Sequence, residues 1–362
     1  MPKLTPATDT APVRTGEELD RERLTGYLRA HLPEAPDHIE IQQFPNGHSN
    51  LVYLIRAGAQ EYVLRRPPLG PVPPKAHDMA REFRVLDAVH PHFPEAPRVV
   101  LLCEDPAVIG ATFFLMERRH GIVLRDQPPA EWASVPNYAQ LASEAFVDCL
   151  VRLHSVDVSL PKIGALGKPE GFVARQVRGW AERWQGAKTE ETPAMDLVIE
   201  WLYLRVPAAQ AATLVHNDFK LDNVMLSAGA DRVEAVLDWE MTTLGDPLSD
   251  LGLTLCYWVW ASVSEQSGAS RNDPHPATPV ITTKPGWYTR DEFVQRYAQR
   301  TGRDVTQVGY YEVLGIFKLA VILQQIYFRF HRGQTRDERF RHFDKRVRAL
   351  VRLAAEMTDR HA

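Results

Sequence analysis

Cysteine is scarce: Cys103, Cys149 and Cys256 are the only three in 362 residues, and no CxxC pair occurs. That excludes a zinc ribbon and a disulfide framework, leaves three buried or half-buried free thiols as the expectation, and fits a reducing cytoplasm. Long apolar runs are also missing. The most apolar stretch, LTLCYWVWASV at 253–263, is too short to span a bilayer, so it is expected to be a buried helix and no membrane partner is expected. The opening MPKLTPATDTAPVRTGEELD lacks the apolar core of a signal peptide, and residues 1–16 read as a flexible leader. No excess of one charge is present: 42 Lys and Arg against 46 Asp and Glu leave a net charge of −4. That balance argues against nucleic acid as a partner. With 44% hydrophobic and 24% charged residues, the chain can bury a sizeable core as two domains or one two-lobed unit.

The pattern along the chain divides it. A helix is expected over 17–31. Three strand-like runs follow at 39–44, 51–56 and 61–65, with Gly47 and Gly58 at the turns, as in an antiparallel meander. A proline-rich loop at 67–74 leads to a helix at 78–89, then strands at 98–103 and 111–117. Beyond that point helices dominate, at 138–156, 172–185, 194–205, 248–263, 290–301, 310–331 and 339–357, interrupted by a small β island near 214–238. The stretch 264–286 reads as a loop rich in Ser, Pro, Thr and Gly. The expected fold class is α+β and bilobal, with a β-rich N-terminal lobe over 17–117 and a mainly helical C-terminal lobe over 118–362.

Within the β island stands LVHNDFKLDNVML, residues 214–226. Its His216-x-Asp218-x-Lys220-x-x-Asn223 core has the spacing of the protein-kinase catalytic loop. Phosphoryl transfer needs an acceptor hydroxyl held in line, cations on the phosphates, and little covalent chemistry from the protein. Asp218 would take or orient the hydroxyl proton, Lys220 would reach the transferring phosphate, and Asn223 would offer its amide oxygen to a metal ion. A second metal ligand should leave a following strand, and Asp238 does so at the end of VEAVLD. Taken alone, either motif reads equally as a turn or a helix cap. Their joint order favours a site. In GDPLSDLG, Asp250 is expected to tie the loop backbone, Asp246 to cap a helix and His216 to brace the loop, while Asn217 and Asp222 carry no assigned role.

These motifs, together with GHSNLVYLI and YVLRRPP, resemble the aminoglycoside phosphotransferase and choline-kinase-like superfamily over about residues 39–357. The nearest likeness is to the subgroup of kinase-like domains fused to acyl-CoA dehydrogenases. The resemblance implies a kinase-like fold that phosphorylates small-molecule hydroxyls with ATP and Mg2+.

It also implies nucleotide contacts in the N-terminal lobe. Gly47, Ser49 and Asn50 lie where a hairpin would cover phosphate, although one glycine equally suits a plain hairpin. Arg65 stands where kinases carry a lysine on the third strand, with Arg66 as runner-up and two solvated arginines as the bland reading. Glu82 would pair with it from the next helix. By alignment alone, Met116 would back the adenine, and the backbones of Glu117 and Arg119 would meet its edge. His77-Asp78 suggests a metal hydrolase, but no further His and Asp complete such a site.

The expected partner is a small-molecule hydroxyl acceptor. Aromatics such as Trp258, Trp287, Tyr288 and Tyr327, with several arginines and no conspicuous acidity, suit a partly apolar and anionic acceptor such as a hydroxyacyl thioester. Sugars, amino alcohols and aminoglycosides stay open as alternatives, and so does a nucleotide-binding module without turnover.

Overall fold

The computed structural model describes residues 9–32, 38–45, 50–70, 77–125, 127–266, 280–335 and 337–360, with backbone alone over 260–266 and at 280 and 283. The chain forms two compact units, Met1–His120 and Gly121–Ala362.

The first unit is built on a sheet. It contains α1 (Arg21–His31), β1 (Glu40–Gln43), β2 (Leu51–Ala57), β3 (Gln60–Arg66), α2 (Met79–Val89), β4 (Val99–Cys103), α3 (Pro106–Ile109) and β5 (Phe113–Glu117). The strand order is β1-β2-β3-β5-β4, antiparallel throughout. Gly58, at φ 64°, supplies the positive φ of the two-residue turn joining β2 to β3. The α1 helix begins later than expected because the Asp20 side chain accepts from the Arg23 amide and caps it there. Asp78 caps α2 in the same way through Arg81, so His77-Asp78 is a helix start. Leu24, Leu28, Tyr53, Ile55, Leu64 and Phe113 form the core between α1 and the sheet.

The second unit carries β6 (Ile122–Val123), α4 (Tyr138–Leu153), α5 (Pro161–Gly164), α6 (Phe172–Ala187), α7 (Pro193–Leu204), β7 (Thr213–Val215), β8 (Val224–Leu226), β9 (Val233–Val236) and β10 (Thr243–Gly245). Four helices complete it: α8 (Pro247–Gln266), α9 (Arg290–Thr301), α10 (Val308–His331) and α11 (Phe343–Arg360). The β island is two small antiparallel sheets, β10-β7 and β6-β8-β9. Between β7 and β8 runs the polar stretch singled out above.

Several boundaries differ from the expected ones. The last helix starts at Phe343 and follows a separate 3-10 turn over Glu338–Phe340, whose first residues are capped by Asp337. The run at 264–286 begins inside α8 and ends in a 3-10 turn over Val280–Thr283, and 267–279 lie outside the described residues. Of the described helices, α10 alone is long and apolar enough to cross a bilayer, and 61% of its apolar window is covered by protein. It packs against α6, α8 and α11. At the α8 crossing, a Cβ on Gly252 would stand 2.4 Å from the Tyr311 carbonyl carbon, and one on Gly315 would stand 2.8 Å from Cys256 Sγ. Glycine at both positions lets the two backbones touch. The three cysteines are buried free thiols.

Candidate active site

The loop from His216 to Lys220 is suspended between apolar anchors. Leu214 and Val215 are fully buried before it, and Phe219 is buried within it against Phe146, 4.7 Å away between ring centroids. Asn217 takes φ 64°, a left-handed conformation that asparagine tolerates. Its Nδ2 donates to the Met241 carbonyl at 3.1 Å. That gives Asn217 a role that sequence reasoning left blank: it turns the loop and fastens it to the segment after Asp238. His216 braces the loop, with Nε2 3.0 Å from the Leu237 carbonyl and Nδ1 accepting from the Asp218 amide at 3.3 Å.

Asp218 is the centre of the loop's chemistry. Its Oδ1 accepts from Lys220 Nζ at 3.0 Å and from the Tyr257 hydroxyl at 3.1 Å. Its Oδ2 accepts from Asn223 Nδ2 at 2.8 Å and lies 2.9 Å from Lys220 Nζ. Burial by itself would lower the Lys220 pKa, but the Asp218 carboxylate outweighs it and raises the ammonium above its ordinary value. Tyr257 is pushed up by burial first and by Asp218 next, so it stays a phenol and a donor.

The β8–β9 hairpin sets the Asn223 backbone against that of Leu237, the residue before Asp238. Val224 pairs with Val236, and the Leu237 amide donates to the Asn223 carbonyl at 2.7 Å. Asp238 follows at φ 66°, heading a 3-10 turn over Trp239–Met241. Asn223 has its amide nitrogen committed to Asp218, so the carboxamide oxygen is the atom left for a cation. One hard oxygen donor and one carboxylate fit magnesium, which commonly takes one or two protein oxygens and completes its shell with water and phosphate.

Helix α8 holds this loop from below. Asp250, 1% exposed, accepts from the His216 amide at 2.5 Å and the Asn217 amide at 2.6 Å. Four residues on, Thr254 Oγ1 donates to the Phe219 carbonyl at 2.8 Å. Three further on comes Tyr257. The spacing i, i+4, i+7 puts all three on one face of the helix. Burial would raise the Asp250 carboxyl, but its hydrogen bonds to His154 and the loop amides hold it below the ordinary carboxylate value. His154 is fully buried, and burial lowers it toward the neutral ring, with Nε2 facing Asp250 at 3.3 Å and Nδ1 facing the Tyr297 hydroxyl at 2.8 Å. An ionised Asp250 accepting a hydrogen bond from the Nε2–H of neutral His154 accounts for both. Asp246 caps α8 through the Leu248 amide at 2.9 Å and accepts from the Tyr311 hydroxyl at 2.9 Å.

In the first unit, Arg65 Nη2 lies 3.3 Å from Glu82 Oε1, with both side chains buried. Arg66 points the other way and donates to the Ile109 carbonyl at 2.9 Å, so the runner-up serves the fold. Gly47 and Ser49 lie outside the described residues. The Asn50 side chain is 3% exposed, with Oδ1 2.9 Å from His77 Nδ1, and so is turned into the protein. Met116 is buried in β5 between Val63 and Val99. The Glu117 amide donates to the Arg98 carbonyl at 2.9 Å. The Arg119 side chain reaches the Pro94 carbonyl at 2.5 Å. Trp258, Trp287, Tyr310 and Tyr311 are buried core, and Tyr327 is half-buried.

Residues 40–307 match the family model described as the phosphotransferase enzyme family, APH. Acyl-CoA dehydrogenase family member 10 of Mus musculus is 34% identical over 349 residues, covering 96% of this chain and 32% of that protein. The chain spans about a third to under a half of the curated relatives it matches. A crystal structure of a candidate aminoglycoside phosphotransferase from Ralstonia eutropha JMP134 superposes with a TM-score of 0.78 at 29% identity, covering 95% of this chain and 99% of that one. The fold is shared with aminoglycoside phosphotransferase APH(4)-Ia, solved with AMP-PNP and hygromycin B, at a TM-score of 0.56 and 16% identity, covering 91% of this chain and 98% of that one.

Proposed function

The chain belongs to the APH phosphotransferase enzyme family, whose members are small-molecule kinases, and from that premise we propose that it moves the γ-phosphoryl group of ATP to an alcohol of a small acyl thioester. The observation that carries the transfer chemistry is the arrangement around Asp218. One carboxylate is held by Asn223, Lys220 and Tyr257, and the Leu237–Asn223 backbone bond ties the loop to the residue before Asp238.

The geometry supports one role for each residue. Asp218 takes the proton of the acceptor hydroxyl as its oxygen bonds to the γ-phosphorus and the bond to the β–γ bridging oxygen breaks, releasing ADP. Lys220 leaves Asp218 for the transferring phosphate, which frees lone pairs for the hydroxyl. Asn223 and Asp238 would hold magnesium, which neutralises charge on the phosphates. Arg65, paired with Glu82, takes the place of the usual lysine and offers a planar fork to the α- and β-phosphates. A module that only bound nucleotide would have no use for the assembled base.

The acyl acceptor rests on two observations. The curated relatives are named as acyl-CoA dehydrogenase family members, and the C-terminal segment 248–362, with 17 Lys and Arg against 12 Asp and Glu, lacks the acidity that a polycationic antibiotic calls for. The test is a transfer screen with labelled ATP and magnesium over hydroxyacyl-CoAs, sugars, amino alcohols and aminoglycosides. Transfer to hydroxyacyl-CoAs above the other classes is expected, and transfer to another class alone overturns the acceptor. Asp218→Asn should lower turnover by about 10^2–10^4-fold with little change in nucleotide affinity, and full activity in that variant overturns the base.

A further inference from the structure

Asp218 has more donors than a working base can keep. Lys220 bridges both carboxylate oxygens, Tyr257 adds a donor to Oδ1, and Asn223 adds one to Oδ2. Each carboxylate oxygen accepts about two hydrogen bonds, so the acceptor hydroxyl has no place until one donor goes. Lys220 is the donor able to go, having a flexible stem and a phosphate to go to. Once it moves, one fixed donor remains on each oxygen: Asn223 from a 3-10 turn over Leu221–Asn223 within the loop, and Tyr257 from α8.

Tyr257 is well placed for that duty. It sits 8% exposed on the helix that already holds the loop through Asp250 and Thr254. Its ring lies 4.9 Å from Lys220 Nζ, close enough for a cation–π contact. The same side chain therefore touches the base through its hydroxyl and the mobile cation through its face. The Gly252–Tyr311 and Gly315–Cys256 contacts seat α8 against α10 five residues and one residue before Tyr257, which holds the helix carrying its hydroxyl.

We propose that Tyr257 is a positioning residue of the phosphoryl transfer: its hydroxyl orients the Asp218 carboxylate toward the acceptor, and its ring guides Lys220 between Asp218 and the phosphate. This rests on the kinase reading above. It assigns the acceptor side of the base to a residue of α8, 39 positions from Asp218 in sequence.

The test is a double-mutant cycle with ATP, magnesium and an alcohol that the wild-type chain phosphorylates. Tyr257→Phe keeps the ring and removes the hydroxyl. It should lower kcat about tenfold, leave the KM for ATP within about twofold, and cost less than about twofold when added to Asp218→Asn. Tyr257→Leu removes the ring as well and should lower kcat further. Equal losses of kcat in the wild-type and Asp218→Asn backgrounds overturn the role, because a purely structural tyrosine would hurt both alike. Absence of transfer by the wild-type chain to any alcohol overturns the kinase reading itself and is distinguishable from that result. If Tyr257→Phe fails to fold, 3-fluorotyrosine at position 257 preserves the packing. Its 19F resonance should move on Asp218→Asn and stay put on a control exchange at the exposed Tyr203, whereas a resonance unmoved by Asp218→Asn overturns the contact.

Discussion

Asn223 commits its amide nitrogen twice to one residue, 2.9 Å from the Asp218 carbonyl oxygen and 2.8 Å from Asp218 Oδ2. The carboxamide is thereby oriented with its oxygen turned to the remaining side. The proposed base and the proposed metal ligand are one hydrogen-bonded pair, and neither side chain can rotate without breaking the bond between them.

Asn223→Ala should therefore damage two functions at once. Turnover is expected to fall about 10–100-fold or more, and the magnesium concentration for half-maximal rate should rise. A magnesium titration of the initial rate separates the two effects. A lower rate with unchanged magnesium dependence would remove Asn223 from the metal site.

Removing Asp250 should cost stability as well as activity. Asp250→Ala strands the buried His216 and Asn217 amides, and a loss of about 3–5 kcal/mol is expected in urea unfolding. The acid limb supplies a second readout. The Asp250 carboxyl is held below its unfolded value, so its contribution is present above the ordinary carboxylate range and is lost as pH falls through the folded pKa. Asp250→Asn should flatten the stability loss below about pH 4.

Lys318 should prove costly to the fold. It is 5% exposed in α10, 5.7 Å from the Trp180 ring, and burial lowers its pKa. The unfolded chain then binds more protons, so stability grows as pH rises from the folded value to the unfolded one. Lys318→Met is expected to stabilise the protein by about 1–4 kcal/mol near neutral pH, the gain shrinking as pH approaches the ordinary lysine range. Thermal melts at several pH values check it. A destabilised variant would mean that the ammonium is needed to balance the buried carboxylates around it.

Glu82 should matter to the nucleotide through Arg65. Glu82→Ala leaves a buried guanidinium without its carboxylate, at an expected cost of about 3–5 kcal/mol. Arg65→Lys keeps the charge but loses the planar fork, and about a tenfold loss of ADP affinity is expected by calorimetry. Unchanged affinity in both variants would move the phosphate contact elsewhere.

How much of this was legible follows from sequence distance. Asp218, Lys220 and Asn223 stand within six residues, so their spacing alone carries the geometry. Asp238 could be found because an apolar strand leads to it, and Asp250 because it opens a helix. Arg65 and Arg66 separated by strand alternation, which sends neighbours to opposite faces. Tyr257 and Thr254 left no local mark. They reach the loop only because α8 repeats every 3.6 residues from Asp250, a signal visible once the Asp250 contact is known. Asn217 was missed because its left-handed turn depends on a partner 24 residues away. The last helix starts at Phe343 and not at 339 because Asp337 caps a separate short turn ahead of it.

The three-point grip of α8 makes the His216–Asn223 loop a poor candidate for transplantation. Its eight residues, moved alone to another scaffold, would lose the carboxylate under their amides, the hydroxyl on Phe219 and the phenol on Asp218. The smallest portable cassette runs from β7 through Tyr257. It must travel with α10, because Gly252 leaves room for the Tyr311 backbone and for nothing larger.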